Sequence, residues 1–215
     1  MNKKRLTQTE ATRVFDLLAK AWPDAHCELE YSNPFQLVLA VLLSAQATDK
    51  SVNKALQPLY ENDPQFDAPD LVRMGEKSFL KWIKSIGLAN TKAKNAVGMA
   101  KRICDVFEGK VPHSQEDLES LPGVGRKTAN VVRNVLYGEA TMPVDTHVGR
   151  VAQRIGLSEI TSNLKVIEEQ VLNIMPKKHA VRAHHYLIFL GRYICMARNP
   201  QCDNCVLAKV CMRRL

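Results

Sequence analysis

Leu121-Pro122-Gly123-Val124-Gly125-Arg126-Lys127-Thr128-Ala129 is the stretch from which the rest of this chain can be read. Pro122 has no N–H and stops any helix that precedes it. The two glycines let the chain turn tightly and leave the backbone bare enough for a ligand to approach. A helix starting near Arg126 would aim its unpaired first-turn amides, and the positive end of its dipole, beyond the turn. A phosphate is the natural occupant of such a place. An ordinary helical hairpin also explains the glycines, but not the Arg126-Lys127 pair that follows them.

The stretch resembles the helix–hairpin–helix element of DNA-binding proteins, spanning about residues 115–134. Gly123, Val124, Gly125 and Arg126 are thereby candidate DNA contacts. Lys127 goes against a local rule. A cation in the first turn opposes the helix dipole, at a cost of ~0.3–1 kcal/mol. A sequence that keeps it there has a use for it. Two uses fit the position, a nucleophilic amine or a second phosphate-binding cation beside Arg126.

Outward from the hairpin the periodicity is helical. Ala11, Val14, Phe15, Leu18 and Trp22 step by three and four, and Pro23 closes that helix. Ser32-Asn33-Pro34 supplies a cap and a first-turn proline for a helix through Leu43. That helix is apolar nearly all round, so it belongs in a core. Thr48 or Asp49 caps the next helix, which Pro58 is expected to kink or end. Gly87 and Gly109 fall where helix C-termini place glycine. Ser85-Ile86-Gly87-Leu88 looks like a faint second copy of the hairpin. No useful stretch alternates apolar and polar residues, so the expected fold class is all-α.

The composition is that of a globular chain. Of 215 residues, 46% are hydrophobic and 24% charged, which excludes a disordered or collagen-like chain. The longest apolar run, Leu37 to Leu43, is far short of the ~20 residues that span a bilayer. The basic start, Lys3-Lys4-Arg5, lacks the apolar stretch of a signal peptide. A soluble, intracellular protein is expected. A formal charge of +8 favours a polyanionic partner.

Downstream, Pro143-Val144-Asp145-Thr146-His147 places Asp145 at a helix start, as an N-cap for the helix of Val148, Val151 and Ile155. A capping carboxylate near a nucleophilic lysine also makes a catalytic pair. The tail reads Cys195-x6-Cys202-x2-Cys205-x5-Cys211, with Arg192, Arg198, Lys209, Arg213 and Arg214 around it. Four cysteines so close together read as metal ligands in a reducing compartment, not as disulfides. Structural zinc usually takes two close pairs. One x2 pair with longer arms suits a cluster of iron and sulfur. Cys104 shares a face with Val97, Ala100 and Phe107 and reads as core; Cys27 carries no signal.

Together, the Lys127 hairpin, Val144-Asp145-Thr146-His147 and the cysteine spacing resemble the endonuclease III family of DNA glycosylase/lyases. The likeness extends over Leu42-Leu43-Ser44-Ala45-Gln46-Ala47-Thr48-Asp49 and Ile86-Gly87-Leu88. It implies two helical domains flanking a DNA cleft. One would span 27–139 and end in the hairpin; the other would join 1–26 to 140–215. It implies Lys127 as the Schiff-base nucleophile, Asp145 as the essential carboxylate, and Gln46 and Leu88 as residues that enter the duplex. His147 and Arg198 are added as DNA contacts. Cys195, Cys202, Cys205 and Cys211 would hold one 4Fe–4S cluster.

The implied activity is release of damaged, oxidised pyrimidines from double-stranded DNA and 3′ cleavage of the abasic site. A monomer in the bacterial cytoplasm, on nucleoid DNA, is expected. Three other readings fit less. A monofunctional adenine glycosylase would lack the hairpin lysine, a non-catalytic DNA-binding module leaves the Lys127/Asp145 pair unexplained, and a zinc scaffold sits poorly with the spacing.

Overall fold

A computed structural model describes residues 5–214, and every regular element among them is helical. No described helix is long and apolar enough to cross a membrane. The chain forms two compact units. One is Glu28–Tyr137; the other joins Met1–Cys27 to Gly138–Leu215.

The Glu28–Tyr137 unit is built around α2 (Pro34–Leu43), whose residues from Phe35 to Leu43 are all buried. Asn33 caps it, its side-chain oxygen accepting the Gln36 N–H at 2.9 Å. Gln36 is the one polar side chain within α2, and it is satisfied. Its Nε2 donates to Pro64 O and Phe66 O at 3.1 and 3.2 Å, and its Oε1 accepts the Ser32 N–H at 2.8 Å. A buried amide so engaged joins the preceding and following loops to the helix instead of weakening the core.

Helix α3 (Asp49–Asn62) is capped by Thr48 and runs through Pro58, so the proline does not end it. The missing N–H would have bonded the Lys54 carbonyl, and both Lys54 and Pro58 are exposed, where water can serve that oxygen. Val52, Ala55, Leu56 and Leu59 bury the opposite face and hold the helix together. Helix α4 (Ala68–Ile83) is interrupted at Gly75, whose φ of 72° is not helical. Gly109 sits where a helix end favours it, with φ of 78°, after α5 (Ala89–Phe107). Gly87 does not play that role. Its φ is not positive, and the left-handed residue is its neighbour Leu88. Helices α6 (Gln115–Glu119) and α7 (Arg126–Tyr137) form the arms of the hairpin.

In the other unit, α1 (Gln8–Ala21) starts with a capping box of Thr7 and Glu10. It packs with α8 (Thr146–Ile155), α9 (Leu164–Ile174) and α10 (Ala183–Tyr193) around Phe15, Leu18, Val151, Ile155, Ile167 and Leu187. Gly191 lets α8 and α10 approach closely. A Cβ there would lie 3.0 Å from His147 Cβ and 3.1 Å from Val151 Cγ2.

Candidate functional site

In the hairpin, the Val124 N–H donates to Leu121 O at 3.0 Å and closes the turn. Leu121 and Val124 are buried and anchor it. The Ala129 N–H donates to Gly125 O at 2.9 Å, which makes Gly125 the N-cap of α7. A glycine cap has no side chain to cover the first-turn amides. Arg126 and Lys127 are the first two residues of the helix, and both are exposed.

The two glycines have different reasons to be there. Gly123 has φ of 79°, and a Cβ on it would lie 2.9 Å from Asn95 Cβ and 3.0 Å from Leu42 Cδ1. Gly125 has an ordinary φ, and a Cβ on it would meet nothing within 4 Å. No packing contact asks for glycine at 125; a bare cap there leaves room for a ligand against the turn.

Gln46 and Leu88 share an unusual backbone. Both are in the left-handed region, at φ of 55° and 61°, and both are exposed, Leu88 at 61%. Non-glycine residues held there cost roughly 1–2 kcal/mol each. An exposed leucine so placed gains little burial in return. Glu108, Asn199 and Arg213 share this backbone, so what sets Leu88 apart is a large apolar side chain left exposed on it.

Asp145 caps α8. One carboxylate oxygen accepts the Val148 N–H at 2.8 Å, and the side chain is half-buried. His147, two residues on, lies with Nδ1 3.3 Å from Arg150 Nη2. Arg150 also donates to Thr146 O at 3.4 Å, Gly191 O at 2.8 Å and Cys195 O at 3.1 Å. It thus joins the start of α8 to the end of α10. Sequence reasoning passed over Arg150, because its partners lie far along the chain.

Cys195, Cys202, Cys205 and Cys211 are free, half-buried and line one pocket, together with Ile155, Leu190, Ile194 and Leu207. Burial pushes the Cys205 and Cys211 thiols up, which favours their protonated form; a metal displaces such protons when it binds. Among the described residues, no three His, Cys, Asp or Glu side chains converge as a single metal ion requires. In a cubane each cysteine binds a different iron. Four thiols spread around one pocket fit that group. Backbone N–H groups already point at the sulfurs, from Leu207 to Cys205 Sγ at 3.4 Å and from Arg213 to Cys211 Sγ at 3.3 Å. Arg198 and Asn199 lie exposed in the loop between the first two cysteines.

Residues 39–177 match the HhH-GPD superfamily of base excision DNA repair proteins, and residues 195–211 match the iron–sulfur binding domain of endonuclease III. The chain is 47% identical to endonuclease III of Rickettsia felis over 93% of its own length and 92% of the relative's. It belongs to the endonuclease III family. The Escherichia coli endonuclease III is 44% identical, with 96% of each chain covered. A solved structure of a trapped endonuclease III–DNA covalent intermediate superposes with a TM-score of 0.90, at 41% identity and 97% of both chains. As in other members of the endonuclease III family, the cofactor is a 4Fe–4S cluster.

Proposed function

We propose that this protein removes damaged pyrimidine bases from double-stranded DNA and cuts the resulting abasic site on its 3′ side. Gly125 carries this reading, as an N-cap with no side chain and open space in front of it, followed by exposed Arg126 and Lys127. The similarity to an endonuclease III trapped covalently on DNA supports the same chemistry.

The first-turn amides of α7 and the side chain of Arg126 hold a phosphate beside the target. The damaged nucleotide leaves the stack at a cost of a few kcal/mol, and damage lowers that cost. Gln46 and Leu88, already exposed on strained backbone, occupy the space it leaves, while His147 and Arg198 meet the strand. Lys127 Nζ then bonds to the anomeric carbon as the bond to the base breaks. Asp145 stabilises the cationic, sugar-centred transition state or moves the proton that must leave the amine. Opening of the sugar gives an imine, which acidifies the neighbouring C2′ proton. Removal of that proton expels the 3′ oxygen and cuts the strand.

Cys195, Cys202, Cys205 and Cys211 are the proposed cluster ligands. The cluster supplies folding free energy to a short segment with little core of its own. The protein acts as a monomer in the bacterial cytoplasm.

Borohydride reduction on a duplex with one abasic site tests the assignment. Wild type should be cross-linked, and Lys127→Gln should not. Undiminished cross-linking of that variant would place the nucleophile elsewhere.

A further inference from the structure

Arg154, in the last turn of α8, touches both ends of the cysteine segment. Its Nη1 donates to Met196 O at 2.7 Å and lies 3.7 Å from Cys195 Sγ; its Nη2 donates to Ala197 O at 3.1 Å. One guanidinium therefore holds three consecutive residues, at the point where α10 has just ended. The backbone of the same turn holds the other end. The carbonyl of Arg154 accepts the Arg214 N–H at 3.2 Å and faces Cys211 Sγ at 3.5 Å, and Ile155 O accepts the Met212 N–H at 3.1 Å. Gly156, next along, has φ of 97°, and a Cβ there would overlap Met212 Sδ. The end of α8 is thus a seat into which the tail closes.

The chemistry of the contact with Cys195 goes beyond holding a loop. A planar guanidinium presents several donors in one fork, and an N–H directed at a ligating sulfur offsets negative charge on it. Hydrogen bonds to the sulfurs set the potential of an iron–sulfur cluster, because reduction adds negative charge that they stabilise. A neutral side chain at 154 removes the fork and the positive charge together. A lysine keeps the charge but not the fork.

We infer that Arg154 is a positioning residue for the cluster: it orients Cys195 as first ligand and raises the cluster's reduction potential by donating to that sulfur. The inference rests on Cys195 being a ligand.

The test uses the purified full-length holoprotein and the variants Arg154→Lys, Arg154→Met, Lys209→Met and Cys195→Ala. Iron and sulfide per chain, the visible absorption band, the potential at an electrode and the rate of bleaching by ferricyanide are measured for each. Arg154→Met should show a lower potential and bleach several-fold faster than wild type. Arg154→Lys should fall between the two, and Lys209→Met, which removes an exposed charge of the same loop, should match wild type. If Arg154→Met fails to load iron, Arg154→Lys carries the measurement. Cluster-loaded Arg154 variants with wild-type potential and bleaching rate would overturn the inference, even if less of the protein were loaded. A Cys195→Ala protein with full iron and an unchanged spectrum would instead overturn the ligand assignment on which it rests.

Discussion

Gly123 lies against Asn95 so closely that a Cβ on the glycine would stand 2.9 Å from that of the asparagine. The turn of the hairpin is therefore seated on α5 and cannot accept a side chain there without moving. Gly125, in the same turn, has open space where its side chain would be. Packing therefore demands glycine at 123 and does not demand it at 125.

Gly123→Ala should lower stability by about 1–3 kcal/mol, from the left-handed backbone and the overlap with Asn95 and Leu42. Gly125→Ala should change stability by less than ~1 kcal/mol, since a slightly poorer cap is offset by a stiffer unfolded chain. Its DNA affinity should nonetheless fall for every sequence tested, because a Cβ keeps phosphate away from the amides. Thermal melts and fluorescence titrations with duplex DNA check both. Wild-type affinity in Gly125→Ala would show that the turn is not approached by DNA.

Asp145 caps α8 with one oxygen, and asparagine caps about as well as aspartate. Asp145→Asn should therefore melt close to wild type while losing most of its turnover. Asp145→Ala should lose the activity and, in addition, ~1 kcal/mol of stability. Single-turnover base release and calorimetry separate the two effects. An active, stable Asp145→Asn protein would leave Asp145 as a cap alone.

Local chemistry made much of this fold readable. The Asn33-Pro34 helix start, the hairpin turn and the cysteine spacing all act over a few residues, and each appears in the structure where the sequence put it. Pro58 does not end its helix, because a proline's effect depends on whether water can reach the carbonyl it deprives, which is a matter of exposure. Gly87 departs from expectation for a related reason. The strained position passed to Leu88, a residue that composition rules do not assign to left-handed backbone. Arg150 and Arg154 carried no local signal at all, since the groups they bind lie beyond the end of α10.

Leu88 allows the strain and its use to be measured separately. Leu88→Gly relieves the left-handed backbone and loses little packing, so the variant should be more stable by roughly 1 kcal/mol. Base release should become slower, because no side chain is left to fill the gap in the stack. Urea denaturation and single-turnover kinetics on a lesion-containing duplex give the two numbers. A variant that gained no stability would mean that the conformation is not strained; one that kept the full rate would remove Leu88 from the reaction.

Lys92 is a cation placed in the core of the Glu28–Tyr137 unit. It is 5% exposed, and its Nζ has no hydrogen-bond partner among the described residues. Desolvation pulls its pKa below the ordinary value of 10.5. In the window between the lowered folded value and 10.5, the unfolded chain binds a proton that the folded chain does not, so stability rises with pH across it. Below that window both states are protonated and the folded state bears the whole cost of the buried charge. Lys92→Met keeps the length and removes the charge. At neutral pH it should be more stable than wild type by about 1–3 kcal/mol, the usual cost of an unsatisfied buried polar group. The advantage should shrink as pH rises towards 10.5, because folded Lys92 loses its proton before unfolded Lys92 does. Urea midpoints for the two proteins from pH 7 to pH 10 follow the difference. A gap that stayed constant over that range would mean that Lys92 titrates alike in both states. A variant less stable than wild type would mean that the amine has a partner on which the fold depends.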